Sequence, residues 1–70
     1  SIEVTGQISE IGGDSLVVNG LTFFVDAATE ILGHGKNPIA FGDLAVGQIV
    51  EVHARQQSDG RLLATRIKLE

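Results

Sequence analysis

Two turn signals restrict the kind of fold that this chain of 70 residues can adopt. Asn19-Gly20 and Asp59-Gly60 each lie between runs rich in Val, Ile, Leu and Thr. Such pairs favour tight β-hairpins, because a type I′ turn needs a positive φ at both central residues, which Asn, Asp and Gly tolerate. No segment carries the sustained apolar repeat of an amphipathic helix. We therefore expect an all-β protein built around two antiparallel hairpins.

The first hairpin predicts a core face and an outer face. A two-residue loop at Asn19-Gly20 pairs the strand residues on either side of it. The inner pairs are Val18 with Leu21 and Leu16 with Phe23, and the outer face carries Val17, Thr22 and Phe24. We therefore expect Phe24 at the surface, beside apolar neighbours.

The predicted register of the second hairpin suits both of its faces. A two-residue loop at Asp59-Gly60 gives the inner pairs Val50 with Leu69, Val52 with Ile67 and Ala54 with Thr65. The outer pairs are Glu51 with Lys68 and His53 with Arg66. Apolar side chains then face one another and an acid faces a base, as favourable cross-strand pairs do.

The remaining segments complete a small barrel. In the first strand, Gly6 and the out-of-phase Ile11 predict a bulge or a tight bend. Residues 29–32 form a short fourth strand, and a short helical turn follows near residues 41–46. Phe41, Leu44 and Val46 are expected to close one end of the core there. Because closure hides sheet edges, we expect a small OB-like β-barrel of five to six strands.

Length and charge limit the partners. Residues 1–70 form one domain, and because a strand pattern begins at once, we expect it to come from a longer chain. Nine acidic and five basic residues leave a net charge of −4, so nucleic acid is not the expected partner. No apolar run approaches the ~18 residues of a membrane span, so membrane insertion is not expected. The chain has no cysteine and therefore no disulfide or thiolate metal site.

Several segments, taken in order, resemble a known family. They are residues 6–11, 17–20, 25–31, 43–52 and 59–67. Together they resemble a family of small bacterial domains of unknown function with an OB-like barrel, over about residues 4–69. The resemblance implies tandem copies in exported proteins or lipoproteins, and hence an exported or periplasmic location. It supplies no catalytic residues, because the shared residues are mostly turn and core positions.

His34 and Lys36 lie in a loop, residues 33–38, that is flexible by composition. Loops on rigid scaffolds often carry function, and its two glycines let backbone amides approach an anion. The pattern is not a P-loop, because Asn37 follows Lys36 where Ser or Thr is required and the first glycine is missing. The alternative is a solvated loop without a ligand.

The outer face with Phe24, Val17 and Thr22 is the second candidate. An exposed aromatic side chain among apolar groups marks a contact surface, or a platform on which a base can stack. Packing within the domain, contact with another protein and contact with a small ligand or single-stranded nucleic acid all remain open. Protein contact, with a neighbouring domain or a second copy, is the partner that we expect.

Neither metal binding nor catalysis is expected. His34 and His53 are far apart in sequence. Glu51 and His53 form a Glu-x-His strand pair that could help bind a metal, but Arg55 and Arg66 beside it would repel a cation. The serines lie at the terminus, on polar faces or in turns, and the aspartates occupy turn positions. We therefore expect no cofactor and no enzyme activity. The expected function is a protein-contact or spacer module, and the alternative is an OB-type domain that binds an oligonucleotide, oligosaccharide or small anion through Phe24 and the 33–38 loop.

Overall fold

Six strands and one 3₁₀ turn form the secondary structure of the computed structural model, which describes all 70 residues. The strands are β1 (Ile2–Ile11), β2 (Ser15–Val18), β3 (Leu21–Phe24), β4 (Glu30–Leu32), β5 (Ile49–Gln56) and β6 (Leu62–Leu69), and the turn is Phe41–Asp43. The predicted all-β class, the strand number and the helical turn are confirmed. The structure contains no helix of the length and apolarity that crossing a bilayer requires.

The strands form a single sheet that closes on itself. Its order is β3-β2-β1-β5-β6-β4, and a further parallel pairing of β3 with β6 completes a ring of five strands. β1 makes this possible by pairing with β5 through its first half and with β2 through its second half. β4 lies outside the ring order and pairs in parallel with the second half of β6. Closure leaves few unpaired strand edges, as expected for a chain this small.

The predicted irregularity of β1 is present, and it lies at Ser9. Ile8 pairs with Val18 but Glu10 pairs with Val17, so Ser9 is an extra residue on β1. A bulge of this kind bends the strand and shifts the inward–outward alternation of the residues after it by one position. Ile11 therefore packs against the core although its spacing from Ile8 is odd.

The core is entirely apolar. Its members are Ile8, Leu16, Val18, Phe23, Leu44, Val50, Val52, Ala54, Ala64, Ile67 and Leu69. No polar or charged residue is buried. Hydrophobic burial is therefore the main source of stability in a chain that has no disulfide.

The end of the core that the 3₁₀ turn covers differs in one residue from the prediction. Leu44 is buried and Phe41 is half-buried against the core, as expected. Val46 is 58% exposed, so its predicted core role is wrong. It occupies the corner of a turn in which Gln48 N–H donates to the Ala45 carbonyl at 3.3 Å and Gly47 has a φ of +98°. The corner residue of such a turn projects away from the sheet.

The β5–β6 hairpin has the predicted register at its open end only. Val50, Val52 and His53 have the expected partners, but Ala54 faces Ala64, and the predicted partner Thr65 is half-buried and outside the core. The loop has three residues, because Gln57 N–H donates to the Arg61 carbonyl at 2.7 Å.

Two local irregularities therefore compensate for each other in this hairpin. The loop shifts the register by one residue, and a bulge at Thr65 restores it. Gly60, with a φ of +88°, supplies the left-handed residue that three-residue hairpin loops need. The predicted two-residue loop is wrong.

Candidate functional site

The ring of Phe24 lies beneath the side chain of Arg61. The guanidinium carbon is 4.7 Å from the ring centroid, within the range of a cation–π contact. Phe24 ends β3, and Arg61 directly precedes β6, which pairs with β3 in parallel. Ring closure of the sheet therefore brings together two residues that are far apart in sequence.

Asp59 holds Arg61 in this position. The Asp59 carboxylate accepts the backbone N–H of Arg61 at 3.0 Å and also pairs with its Nε at 3.0 Å. The backbone N–H bond first, and the guanidinium charge in addition, keep the pKa of Asp59 below its ordinary value. Phe24, Arg61 and Asp59 thus form one connected surface feature of the β5–β6 loop and the end of β3.

A shallow cleft of about 210 Å³ opens beside Phe24 and Arg61. Its other lining residues are Asp14, Val25, Asp26, Gln57, Leu62 and Leu63. The cleft is smaller than the ~300 Å³ at which drug-sized ligand pockets begin. With two carboxylates, one guanidinium and an aromatic ring, it fits a small group that is partly polar and partly apolar.

The predicted Phe24 face is assembled as expected, although less of it is open to solvent. Val17 pairs with Thr22, and Phe24 follows on the same outer side, opposite Ser15. Thr22 is exposed, whereas Val17 and Phe24 are half-buried. Val17 lines a second, smaller hollow of about 140 Å³ rather than the cleft beside Phe24. Sequence reasoning missed Arg61, whose position depends on the parallel pairing of β3 with β6.

The loop with His34 and Lys36 is a separate, tightly closed turn. Lys36 N–H donates to the Gly33 carbonyl at 3.0 Å, and Gly33 N–H donates to the Asn37 carbonyl at 2.8 Å. Both amides are therefore used within the loop, and Lys36 itself adopts a φ of +63°. His34 and Lys36 are exposed, and neither lines the cleft beside Phe24. The structure does not combine the two predicted contact regions into one site.

A third group of side chains gathers around His53 on the outer face of β1 and β5. Glu3 of β1 is the cross-strand partner of His53 of β5. Glu51 lies two residues before His53 on β5, so its side chain projects from the same outer face. His53 Nδ1 lies 3.4 Å from Glu3 Oε2, and His53 Nε2 lies 3.2 Å from Glu51 Oε1. We refer to Glu3, Glu51 and His53 as the histidine cluster.

The cations around the histidine cluster are paired with other acids. Arg66, the cross-strand neighbour of His53, has its Nε 3.5 Å from Glu30 Oε1, an ion-pair contact without hydrogen-bond geometry. Lys68, the neighbour of Glu51, directs its Nζ to Glu70 Oε2 at 3.1 Å. Glu3, Glu30 and Glu70 thus bring negative charge to a surface on which sequence reasoning had placed mainly bases.

Sequence reasoning missed Glu3 as a member of this cluster. The alternation of Ile2 and Val4 indicated that Glu3 points outward, which was the only available signal. Its position opposite His53 depends on the β1–β5 register, which no local turn determines.

The fold and these surface features define a small all-β domain. Comparison of the sequence with models of known protein families identifies its family. A family model described as "Domain of unknown function (DUF5666)" matches residues 5–68, so the chain belongs to this family. This match confirms the family of unknown function that the turn and core residues resembled. No curated protein and no solved structure matches the chain.

Proposed function

We propose that this domain is a non-catalytic module that docks on a second copy of the same domain. The observation that carries the proposal is the exposure of two large aliphatic side chains on one turn. Val46 is 58% exposed and Ile49 is 51% exposed. Full burial of a side chain of this kind is worth about 1.5–3 kcal/mol, so a partner surface that covered both would gain appreciable binding free energy. We call residues 45–49 the aliphatic turn.

A second copy is the partner that the charge distribution favours. The aliphatic turn contains no charged residue, although the chain as a whole carries a net charge of −4. Its neighbour on β1 is Gln7, which is also uncharged and donates from Nε2 to the Gly47 carbonyl at 3.0 Å. On the other side of Ile49 lies Glu70, whose N–H donates to the Ile49 carbonyl at 3.0 Å and whose carboxylate pairs with Lys68 Nζ at 3.1 Å. Two copies that meet through the aliphatic turn therefore bring together few unpaired like charges.

The absence of catalysis is part of the same proposal. The interior holds no buried polar or charged residue, whereas catalytic groups usually depend on a sheltered polar environment. The cleft beside Phe24 is open and small. We also propose, from the family resemblance alone, that the domain occurs in tandem within an exported bacterial protein. The complete gene tests this point through a signal peptide and further copies.

Two copies joined by a flexible linker test the docking directly. A short linker raises the effective concentration of the second copy to the millimolar range, so even weak docking becomes visible. We expect the methyl NMR signals of Val46 and Ile49 to shift between the single and the linked chain. Substitution of Ile49 by Ser in both copies should abolish the shift, whereas Leu21→Ser, at the third exposed large hydrophobic residue, should preserve it. Identical methyl spectra of the single and linked chains would exclude docking and leave a spacer role.

A ligand-binding function is the second candidate, and the cleft beside Phe24 favours it. Titration with short single-stranded DNA, with small oligosaccharides and with inorganic phosphate at low salt tests it. Shifts confined to Phe24, Arg61 and their neighbours would establish binding in the cleft. Shifts at His34 and Lys36 would place the ligand on the 33–38 loop. A spectrum that none of these compounds alters would exclude the proposed ligand classes.

A further inference from the structure

We infer that the histidine cluster is a binding site for a divalent transition-metal ion, with Zn²⁺ as the representative ion. One carboxylate oxygen from each of Glu3 and Glu51 and one imidazole nitrogen of His53 lie within 4.8 Å of one another. The three donors come from β1 and β5, which are paired antiparallel strands that lie far apart in the sequence. The inference departs from the expectation that this chain has no metal site.

The distances are close to those that a metal ion requires. Metal–donor distances of about 2.0–2.2 Å give donor–donor edges of about 3.3–3.6 Å around a tetrahedral ion. His53 Nε2 lies 3.2 Å from Glu51 Oε1, which is close to this length, whereas Glu3 Oε2 lies 3.4 Å from the other ring nitrogen, Nδ1. Because an ion binds only one of the two nitrogens, one carboxylate must move to the nitrogen that the other carboxylate faces. Glu3, whose side chain is 67% exposed, is free to do so.

The donor set selects the class of ion. Imidazole together with carboxylates suits Zn²⁺, Cu²⁺ and Ni²⁺, whereas Mg²⁺ and Ca²⁺ prefer oxygen donors alone. Three protein donors leave a fourth position for water. A mixed site of this kind therefore differs from a group of surface acids, which would attract any divalent cation.

The positive groups on the same face do not occupy the site. Arg66 pairs with Glu30 and Lys68 pairs with Glu70, as described above. Arg55, the remaining cation of β5, is exposed and forms no ion pair, so its side chain can extend into solvent. The repulsion expected from the sequence is thus reduced by ion pairs that the tertiary structure creates.

Binding of an ion at this position would join β1 to β5. These two strands are the paired strands of the ring that are most separated in sequence, and β5 is the only strand that pairs with the first half of β1. A ligand that binds only the folded state raises the free energy of unfolding in proportion to the logarithm of its concentration. We therefore expect Zn²⁺ to raise the melting temperature of the domain.

Titration of the intact domain with Zn²⁺, followed by amide NMR and thermal unfolding, tests the inference. We expect shifts centred on Glu3, Glu51 and His53 together with the rise in melting temperature. His53→Ala should weaken Zn²⁺ binding by more than about 10–100-fold, the loss that removal of a residue supporting a ligand already causes. His34→Ala, at the only other histidine, is the matched control and should bind Zn²⁺ like the unchanged chain.

Three further results decide between this site and weaker explanations. Glu3→Gln keeps the size of the side chain, and its weakening of Zn²⁺ binding would establish Glu3 as a ligand even if His53→Ala failed to fold. Equal effects of Mg²⁺ and Zn²⁺ on the same amides would overturn the inference, since a carboxylate-only attraction would then suffice. Unchanged Zn²⁺ binding in His53→Ala, or its loss in His34→Ala, would also overturn it.

Discussion

Arg61 lies over the ring of Phe24 with its guanidinium carbon 4.7 Å from the ring centroid. The two residues are brought together by the parallel pairing of β3 with β6. This pairing is the step that closes the sheet into a ring, so the Phe24–Arg61 contact forms only when the sheet closes. Its contribution to stability adds to that of the backbone pairing between β3 and β6.

Removal of the Arg61 side chain tests that contribution. We expect Arg61→Ala to lower the free energy of unfolding by about 0.5–1 kcal/mol, the usual value of a cation–π contact at an exposed site. The ion pair with Asp59 is lost in the same variant, but both of its side chains are largely exposed and such pairs contribute little. Arg55→Ala is the matched control, because Arg55 is exposed and forms no ion pair. Urea unfolding followed by circular dichroism measures both variants, and equal stabilities of the two would show that the contact contributes nothing.

The lowered pKa of Asp59 predicts a pH dependence of stability. A carboxyl group with a lowered pKa in the folded state stabilises fully above its unfolded pKa, about 3.9, and this contribution is lost as the pH falls through the folded pKa. We therefore expect Asp59→Asn to be less stable than the unchanged chain at neutral pH, with the difference disappearing in acid.

Comparison of Asp59→Asn with Asp59→Ala separates the effect of the carboxylate charge from the effect of the hydrogen bond that the Arg61 backbone N–H donates. Asn at position 59 keeps an oxygen that accepts this bond, whereas Ala does not. Unfolding of both variants should be followed from neutral to strongly acidic pH. Asp59→Ala should remain less stable than the unchanged chain even where Asp59→Asn no longer differs from it. A pH-independent difference for Asp59→Asn would contradict the prediction.

The side chain of Asn19 lies against Gly6. A Cβ atom at position 6 would overlap that side chain, whose Nδ2 donates to the Thr5 carbonyl at 3.2 Å. We expect Gly6→Ala to cost about 0.5–1.5 kcal/mol, because the exposed Asn19 side chain must move aside and lose this hydrogen bond. Gly at position 19 still permits the positive φ of the turn, so Gly6→Ala should cost much less in an Asn19→Gly background.

A double-mutant cycle measures this relief as an interaction free energy between the two positions. Residues in direct contact typically give about 0.5–3 kcal/mol in such a cycle. The free energies of unfolding of the two single variants and the double variant should therefore not add. Simple additivity would show that the cost of Gly6→Ala has another origin.

Leu44 and Val46 both follow the 3₁₀ turn, but Leu44 faces the core and Val46 faces solvent. Leu44 is 5% exposed and Val46 is 58% exposed, although they are only two residues apart. We expect Leu44→Ala to cost about 2–5 kcal/mol. Val46→Ala should change the free energy of unfolding by no more than about 0.5 kcal/mol, as for most surface positions. Similar losses in the two variants would mean that the aliphatic turn is packed more tightly than the structure indicates.

The local features of the fold could be predicted because short-range chemistry determines them. Asn19-Gly20 defines its turn through the φ values that these residues tolerate, and the β2–β3 pairs follow from that turn. Leu21 is the exception on the predicted core face: it pairs with Val18 as expected but is 39% exposed. The register of β5 and β6 at their open end follows from the apolar alternation, because a slip by one residue would expose the core face. The position of Phe24 on the outer face was predictable for the same reason.

The candidate sites could not be predicted in full, because they depend on pairings between distant segments. The turn at Asp59-Gly60 is compatible with loops of two or three residues, and only the observed bulge at Thr65 shows which is used. Likewise, Arg61 reaches Phe24 through the β3–β6 pairing, and Glu3 reaches His53 through the β1–β5 pairing.

The sequence by itself thus determined the all-β class, the hairpins and the inward or outward direction of most strand residues, because turn preference and alternation act over a few neighbouring residues. Only the tertiary structure decided which outward residues meet, because pairings between distant segments place β1 beside β5 and β3 beside β6. The histidine cluster depends on the first of these pairings, and the Phe24–Arg61 contact depends on the second, which closes the sheet.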